Sequence, residues 1–372
     1  METTVARMRE VLGLLQPAVA RKSAIKSLES ILLKDGLAVA TDLETMVTVA
    51  VPEADLTSLV PFKDVLKVLQ FTPGGETLKI KAKKGKLSLS WSDGKASFDV
   101  EDPGTFPKVP EFVATSEESL NTDVLIPALM AVRPYVAKDS DRPVLNGVTL
   151  ILGDPVEVAA GDGYRMADLV LPLAYPESIT VILPSSSVTV LKHLWGKTPN
   201  RPPPSDELIP VLMAKKHAMV AHDGKEGLRF QFENNTTAIV KLVSGSPPDW
   251  LKLIPKGDPI LQVQFLPADM ELAVRRIMGA ADGKDGKIRI AFSDDKATVS
   301  AKSDGQTAES SFKTLDSKGT PNNIALGASY LLSYLSGKDG IVTLTHTGDT
   351  SPIAFRSRKD DPRVLIMPMD DK

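Results

Sequence analysis

Three stretches of the sequence carry residue types and spacings that could do chemistry. The segment GDGYRM (161–166) begins like a dinucleotide-binding turn, but Met166 occupies the place of the third glycine, and a strand-like segment follows where a helix is needed. The segment GKT (196–198) resembles the end of a phosphate-binding loop, yet Leu191 stands at the position of that loop's first glycine. The segment DGKDGK (282–287) is acidic and glycine-rich, but a lysine replaces one ligand of a calcium loop. We therefore interpret all three as turns or helix ends.

The residues that most often ligate metals or act as nucleophiles are scarce. The chain has no cysteine and four histidines, His193, His217, His222 and His346, and no two of them have the one-turn spacing of a helical metal site. No serine lies between the glycines of a nucleophile elbow. The sequence therefore predicts no metal, no cofactor and no catalytic centre, so we expect a protein that is not an enzyme. The lack of cysteine fits a reducing compartment, and we expect a cytoplasmic protein.

The composition is that of an ordinary globular protein. The chain has 372 residues, of which 42% are hydrophobic and 24% charged, which favours two or three domains and excludes a largely disordered or coiled-coil chain. The formal net charge is −3, so no overall positive field draws the protein to nucleic acid. Any contact with DNA must therefore be local or topological. No stretch is long and apolar enough for a membrane-spanning helix, and we expect no membrane partner.

Helical and strand-like segments alternate in a pattern that repeats along the chain. Strand-like runs with turns between them fill most of the sequence, and segments of helical period occur six times in three pairs. These segments are 5–19, 61–70, 123–137, 185–195, 267–281 and 327–336. The pairing predicts an α+β protein of three similar domains, 1–117, 118–254 and 255–372, each with two helices packed on antiparallel sheets.

Open sheet edges would be a liability in such a chain, because unpaired strand edges promote aggregation. Pairing the edge strand of one domain with that of the next, and closing the series between two copies of the chain, would remove these edges. We therefore expect a closed dimer. Basic residues recur on or beside the helices, and the examples are Lys22, Lys138, Arg142 and Lys192. A solvated helix face is the simple interpretation of these charges, and a shared surface that faces a polyanion is the alternative.

Specific strings in each third of the chain resemble one family. KDGLAVATDLETMVTVAVP (34–52), with VPFKDVLKVLQ and KGKLSLSWSDGKASFDVEDPGTFPKVPEF after it, resembles the first domain of the bacterial DNA polymerase III beta subunit, the beta sliding clamp. RPVLNGVTL (142–150), GDGYRMA and the C-terminal VLIMPM resemble the family's second and third domains. The order, spacing and length agree over the whole chain.

The resemblance implies a head-to-tail homodimeric ring of six clamp domains that encircles duplex DNA without sequence preference. Such a ring tethers the replicative polymerase and other proteins with clamp-binding motifs as a processivity factor, and a clamp loader ATPase opens it. It implies no catalysis and no cofactor. Two alternatives stay open from the residues: a specialised clamp paralogue, either drug-resistant or phage-borne, and an unrelated small-molecule enzyme built on repeated α+β domains.

The resemblance also implies three sets of functional residues. The partner-peptide pocket comprises Leu145, Gly161, Gly163, Arg165, Met166, Pro248, Lys252, Leu253, Leu365, Ile366, Met367, Pro368 and Met369. The DNA-binding residues are Lys22, Lys138, Arg142 and Lys192, and the dimer interface is Phe98 and Val100 against Ile277 and Met278. The sequence departs from the family pattern at Gly161, usually threonine, at Tyr164, usually histidine, and in the acidic tail from Asp370 to Lys372.

Overall fold

The structure is a computed structural model that describes residues 1–138, 141–199, 216–224, 226–281, 285–293, 295–303, 305–320, 323–348 and 350–370. The helices are α1 (Val5–Leu15), α2 (Phe62–Leu69), α3 (Thr122–Val132), α4 (Ser185–Lys197), α5 (Pro267–Ile277) and α6 (Ala328–Leu335). None of the helices in these ranges is long and apolar enough to cross a membrane.

The strands are short and numerous. They are β1 (Glu2–Thr4), β2 (Ser30–Lys34), β3 (Leu37–Thr41), β4 (Thr45–Ala50), β5 (Ser58–Pro61), β6 (Thr77–Lys83), β7 (Lys86–Trp91), β8 (Gly94–Asp99), β9 (Ser116–Asn121), β10 (Gly147–Leu152), β11 (Val156–Gly161), β12 (Arg165–Leu171), β13 (Ile179–Pro184), β14 (His217–His222), β15 (Gly227–Phe232), β16 (Thr236–Lys241), β17 (Leu261–Phe265), β18 (Lys287–Phe292), β19 (Lys296–Ser303), β20 (Gln306–Lys313), β21 (Asp316–Gly319), β22 (Asn323–Gly327), β23 (Val342–His346), β24 (Ile353–Arg356) and β25 (Arg363–Ile366).

The six predicted helices are confirmed, but α1, α3 and α5 end several residues before their predicted ends. Thr4 caps α1 by accepting a hydrogen bond from the backbone N–H of Arg7 at 3.1 Å, and the helix buries one face against the core. The apolar pattern continues beyond Leu15, but a 3₁₀ turn that contains Pro17 replaces the helix there. A 3₁₀ turn with Pro134 follows α3 in the same way. Proline has no N–H to donate, so an apolar period that runs into it overestimates helix length.

The chain divides into two compact units. The first unit comprises residues 1–130, 150–156 and 171–244, and the second comprises 131–149, 157–170 and 245–372. Both units take residues from the predicted middle domain 118–254, so the division into three domains stays a prediction.

The first unit contains two antiparallel sheets, with the strand orders β1-β6-β7-β8 and β5-β2-β3-β4-β16-β15-β14-β9. Strand β4 pairs with β16 through Val47 and Ala238, so the edge of one strand-like repeat is covered by the next, as the edge argument predicts.

The second unit also contains antiparallel strands in two groups. One has the order β20-β19-β18-β22, and in the other the strands lie in the order β11-β12-β25-β24-β23-β17-β21. Strand β12 pairs with β25, so two segments almost 200 residues apart in sequence become neighbours, with Asp168 opposite Arg363. This pairing assembles the site described next.

Candidate functional site

The residues predicted for the pocket converge in the second unit, around one cluster of apolar side chains. We call this the apolar cluster; it consists of Leu145, Ala159, Met166, Trp250 and Leu365, with Ala137, Val144 and Ala354 packed at its margin. These residues come from four separate stretches of the chain. Their convergence shows that VLNG, GDGYRM, PPDWLKL and VLIMPM contribute to one place.

Strand register arranges the cluster in a row across the sheet. Met166 lies opposite Leu365, Leu365 lies opposite Ala354, and Ala354 lies opposite Thr345. Residues that are directly opposite in neighbouring strands point to the same face, and the faces alternate along each strand. Leu365 therefore shares a face with Met166 and Ala354, which we call the site face.

Ile366, which the sequence resemblance places in the partner pocket, lies on the opposite face of the sheet. Ile366 lies opposite Ile353, one residue beyond Leu365, and is fully buried. It therefore belongs to the core beneath the sheet. Leu145 and Met166 are also almost completely buried, so a partner could contact only their outer atoms.

A tight turn at 161–165 lies at one end of the site face. The Asp162 carboxylate accepts hydrogen bonds from the backbone N–H groups of Tyr164 and Arg165, both at 3.0 Å, and Gly163 has φ of +96°. Glycine adopts this left-handed conformation without strain, and the carboxylate holds the turn closed. The N–H of Met367 donates to the Tyr164 carbonyl at 2.8 Å, which joins the C-terminal segment to the turn.

Each of the three guanidinium nitrogens of Arg165 donates a hydrogen bond within the chain. Its guanidinium donates to the Asp162 carboxylate at 3.0 Å, to the Ser333 hydroxyl at 2.9 Å and to the Pro134 carbonyl at 3.2 Å. It also lies over the rings of Tyr135 and Tyr330, 5.1 and 5.3 Å from their centroids. These contacts give Arg165, one of the predicted pocket residues, a positioning role.

Burial moves the ionisation of these two tyrosines still further above neutral pH. Desolvation raises the pKa of Tyr135 to about 12, and desolvation together with nearby Asp285 raises the pKa of Tyr330 to about 12. The stacked arrangement with Arg165 therefore does not titrate near neutral pH. Tyr164 stacks on Tyr330 with a centroid distance of 5.9 Å and remains 62% exposed.

The Trp250 ring leaves no room for a side chain at position 161. A Cβ at this position would lie 2.8 Å from the indole of Trp250 and 3.0 Å from the Arg165 carbonyl. The indole N–H donates to the Thr149 hydroxyl at 3.1 Å, so the ring is fixed at its polar end as well. The departure from the family's threonine at Gly161 thus makes room for Trp250.

The other predicted pocket residues differ in exposure. Gly163, Lys252, Leu253, Met367 and Met369 are exposed, whereas Pro248 and Pro368 are half-buried. Lys252 forms an ion pair with Asp249 at 3.0 Å. The surface open to a partner is therefore formed by the turn at 163–164, Leu253 and the methionines of the tail. Of that tail, Asp370 is described, and Asp371 and Lys372 lie outside the described residues.

The predicted DNA-binding and dimer residues lie elsewhere. Lys22, Lys138, Arg142 and Lys192 are all exposed. Phe98 and Val100 are half-buried, and Val100 packs on its own unit's core. Ile277 is only 1% exposed and Met278 is 36% exposed. At the end of α5, the apolar surface available to a second copy is therefore that of Met278 rather than Ile277.

The motifs that suggested other chemistry have structural explanations where they are described. GDGYRM forms the turn at 161–165 and the start of β12, and GKT forms the end of α4 and the residue after it. DGKDGK lies partly outside the described residues. Among those described, no group of three His, Asp or Glu side chains is placed to hold a metal ion.

Comparison with known proteins identifies the fold. The chain is 22% identical over 319 residues to the beta sliding clamp of Pseudomonas putida, covering 83% of this chain and 81% of that protein. The crystal structure of the DNA polymerase III beta subunit from Pseudomonas aeruginosa superposes with a TM-score of 0.85 at 20% identity, covering 99% of each chain. The chain has the beta sliding clamp fold.

A more distant bacterium gives the same result. The DNA polymerase III beta subunit of Thermotoga maritima superposes with a TM-score of 0.82 at 19% identity over 100% of this chain and 99% of that one. No family model matches the chain. The resemblance inferred from the sequence is confirmed, and so is the α+β clamp fold class.

Two residues of the candidate site were absent from the predicted pocket residues. Trp250 fills the apolar cluster, and Tyr164 supplies the most exposed aromatic surface beside it. A tryptophan between prolines and leucines in PPDWLKL is a sequence feature that could have indicated Trp250. Tyr164 could have been found from its position in the turn, where an aromatic side chain would be exposed.

Replacing Gly161 with threonine should displace the Trp250 ring. The added side chain overpacks a full site, which costs about 1 to 3 kcal/mol, so we expect a lower melting temperature and a shifted tryptophan emission maximum. Gly75→Thr is the matched control, because a Cβ at Gly75 meets no atom within 4 Å. An emission spectrum of Gly161→Thr identical to that of the parent would contradict the packing of Trp250 on Gly161.

Proposed function

We propose that this protein is a DNA sliding clamp, a homodimeric ring that encircles duplex DNA and tethers the replicative polymerase and other partners. The observation that carries the proposal is the clamp fold over the whole chain, supported by the apolar cluster, which contains Leu145, Met166 and Leu365 of the pocket that the sequence resemblance implies. The role needs no catalytic centre in this chain. A clamp loader ATPase would open the ring, and the polymerase and other motif-bearing proteins would bind the site face.

Free strand edges support closure of a head-to-tail dimer. In the described part of the chain, β8 ends the β1-β6-β7-β8 sheet of the first unit, and β20 ends the β20-β19-β18-β22 sheet of the second. Phe98 belongs to β8, and the 3₁₀ turn of Met278 packs against β20. Both predicted halves of the interface therefore lie beside an unpaired edge. Pairing these edges between two copies would cover both.

Enclosure explains how a protein of net charge −3 could hold DNA. A phosphate-binding protein gains affinity by releasing counterions and loses it steeply with salt, whereas a closed ring needs only weak contacts. Two arginines near the predicted basic surface are already engaged: Arg7 pairs with Glu10 at 2.8 Å, and Arg9 donates to the carbonyls of Leu69 and Thr72. Lys22, Lys138, Arg142 and Lys192 would supply sequence-independent phosphate contacts.

Retention on circular DNA tests the proposed function. Protein loaded onto nicked circles by a clamp loader should stay bound at high salt, because the ring must open to leave, and should slide off once the circle is cut. The measurement is gel filtration of labelled protein with the DNA before and after linearisation. Equal loss from circles and linear DNA as salt rises would point to ordinary electrostatic binding and against a clamp.

Met278→Ala should weaken the dimer. Removing an apolar anchor from each interface costs roughly 1.4 kcal/mol or more, which is about tenfold in the dissociation constant. Sedimentation equilibrium should show more monomer at the same concentration. Leu272→Ala on the preceding helix α5 is the control, since Leu272 is also exposed and lies outside the predicted interface. If Met278→Ala dimerises as tightly as Leu272→Ala, the interface lies elsewhere.

Met367→Ala should weaken partner binding and leave the dimer intact. Met367 is 39% exposed beside the apolar cluster, and burial of one apolar side chain contributes about 1.5 to 3 kcal/mol, so we expect about a tenfold loss of affinity for a short peptide that carries leucine and phenylalanine. Isothermal titration calorimetry measures this loss. Met219→Ala, at an equally exposed methionine in the first unit, should bind like the parent. Unchanged affinity in Met367→Ala would place the partner site elsewhere.

A further inference from the structure

A groove in the second unit carries positive charge that the predicted pocket does not use. Its volume is about 500 Å³, within the range of sites that hold ligands, and its basic lining residues are Arg356, Arg358, Lys359 and Arg363. The remaining lining includes Ile254, Thr343 and Thr345 and contains no acidic residue. We call it the basic groove.

Strand register places the basic groove directly beside the apolar cluster. Arg363 lies two residues before Leu365 on β25, and Arg356 lies opposite Thr343. The β24–β25 register pairs Phe355 with Val364, so its continuation by one residue sets Arg356 beside Arg363 in the same row. Side chains two residues apart on a strand share a face and are separated by roughly 7 Å. The apolar row and the charged row are therefore consecutive on the site face. A single extended segment could span both.

The four cations differ in how far their charge is already neutralised. Arg363 forms a two-pronged ion pair with Asp168, at 3.0 and 2.6 Å, and is only partly exposed. Arg356 donates to the Lys359 carbonyl at 2.7 Å, which shapes the loop without neutralising the guanidinium. Within the described ranges, no carboxylate lies within 4 Å of the charged groups of Arg356, Arg358 or Lys359. These three charges are available to an anion.

We propose that the basic groove binds acidic residues that flank the apolar motif of a partner peptide, so that clamp partners are selected by charge as well as by apolar anchors. The proposal rests on the site face being the partner site. Charge complementarity and the continuity of the two rows carry it. An acidic peptide fits better than duplex DNA, because only a peptide can also place apolar side chains on exposed Leu253 and Met367 beside the apolar cluster.

Exposed charges attract weakly and are screened by salt. Two or three contacts of this kind together should raise affinity about fivefold at low ionic strength, and the gain should shrink as salt is added. The basic groove therefore determines which of the peptides that bind beside the apolar cluster have the highest affinity.

Three synthetic peptides test the proposal by isothermal titration calorimetry at low and high salt. All contain the same leucine and phenylalanine pair; one has three glutamates before it, one has them after it, and one has glutamines on both sides. One acidic peptide should bind the parent about fivefold more tightly than the glutamine peptide. The double variant Arg358→Gln with Lys359→Gln should abolish that preference and leave the affinity for the glutamine peptide unchanged.

A matched control removes the same charge elsewhere in the second unit. Lys302→Gln with Lys313→Gln changes two exposed lysines on β19 and β20 that do not line the groove, and it should keep the preference. Equal binding of all three peptides to the parent would overturn the proposal while leaving the partner site intact. Binding of none would overturn the partner site and the proposal together. Displacement of the acidic peptide alone by a short duplex would show that the groove is a phosphate site, which also overturns the proposal.

Discussion

The pairing of β12 with β25 is the interaction on which the candidate site depends. It sets Met166 opposite Leu365 and Asp168 opposite Arg363, so the apolar cluster and the basic groove are both consequences of one register. A shift of one residue would turn Leu365 into the core and bring Ile366 to the site face. The partly buried ion pair between Asp168 and Arg363 opposes such a shift, because a slipped register would leave a carboxylate without its partner.

The pairing of β12 with β25 also covers strand edges that would otherwise be exposed. An exposed edge strand invites association with other chains, and covering it with the next repeat removes the hazard while adding hydrogen bonds. Strand β4 is covered by β16 in the first unit, as β12 is by β25 in the second. Pairing between strands that are distant in sequence therefore creates new faces in this fold. A site formed where two such strands pair contains residues from distant parts of the sequence, and no long loop is needed to bring them together.

The helices and the strand-rich segments could be predicted from the sequence, because periodicity is a local property. Sequence analysis failed where the answer depends on pairing between distant strands. Alternation along VLIMPM shows that Leu365 and Ile366 face opposite ways, but only the pairing with β12 shows which one joins Trp250. Arg165 likewise resembles a free donor in the sequence, and its partners Ser333 and Pro134 are unpredictable without the fold. The basic groove was missed for the same reason, since Arg356 and Arg363 are neighbours only through the sheet.

The two proposed partners, duplex DNA and partner peptides, would be held by different physical means. This difference accounts both for the net charge of −3 and for the cations of the basic groove. A ring that encloses DNA needs no strong positive field, so a chain of net charge −3 can serve, and basic residues elsewhere are free for other uses. Partners, in contrast, bind a small face and need both apolar burial and a feature that separates one from another. Burial on the apolar cluster supplies affinity but discriminates poorly between leucine-rich segments, because methionine adapts to many shapes. The unneutralised cations of the basic groove, Arg356, Arg358 and Lys359, would add the missing discrimination, since a like-charged flank would be repelled where an acidic flank is held.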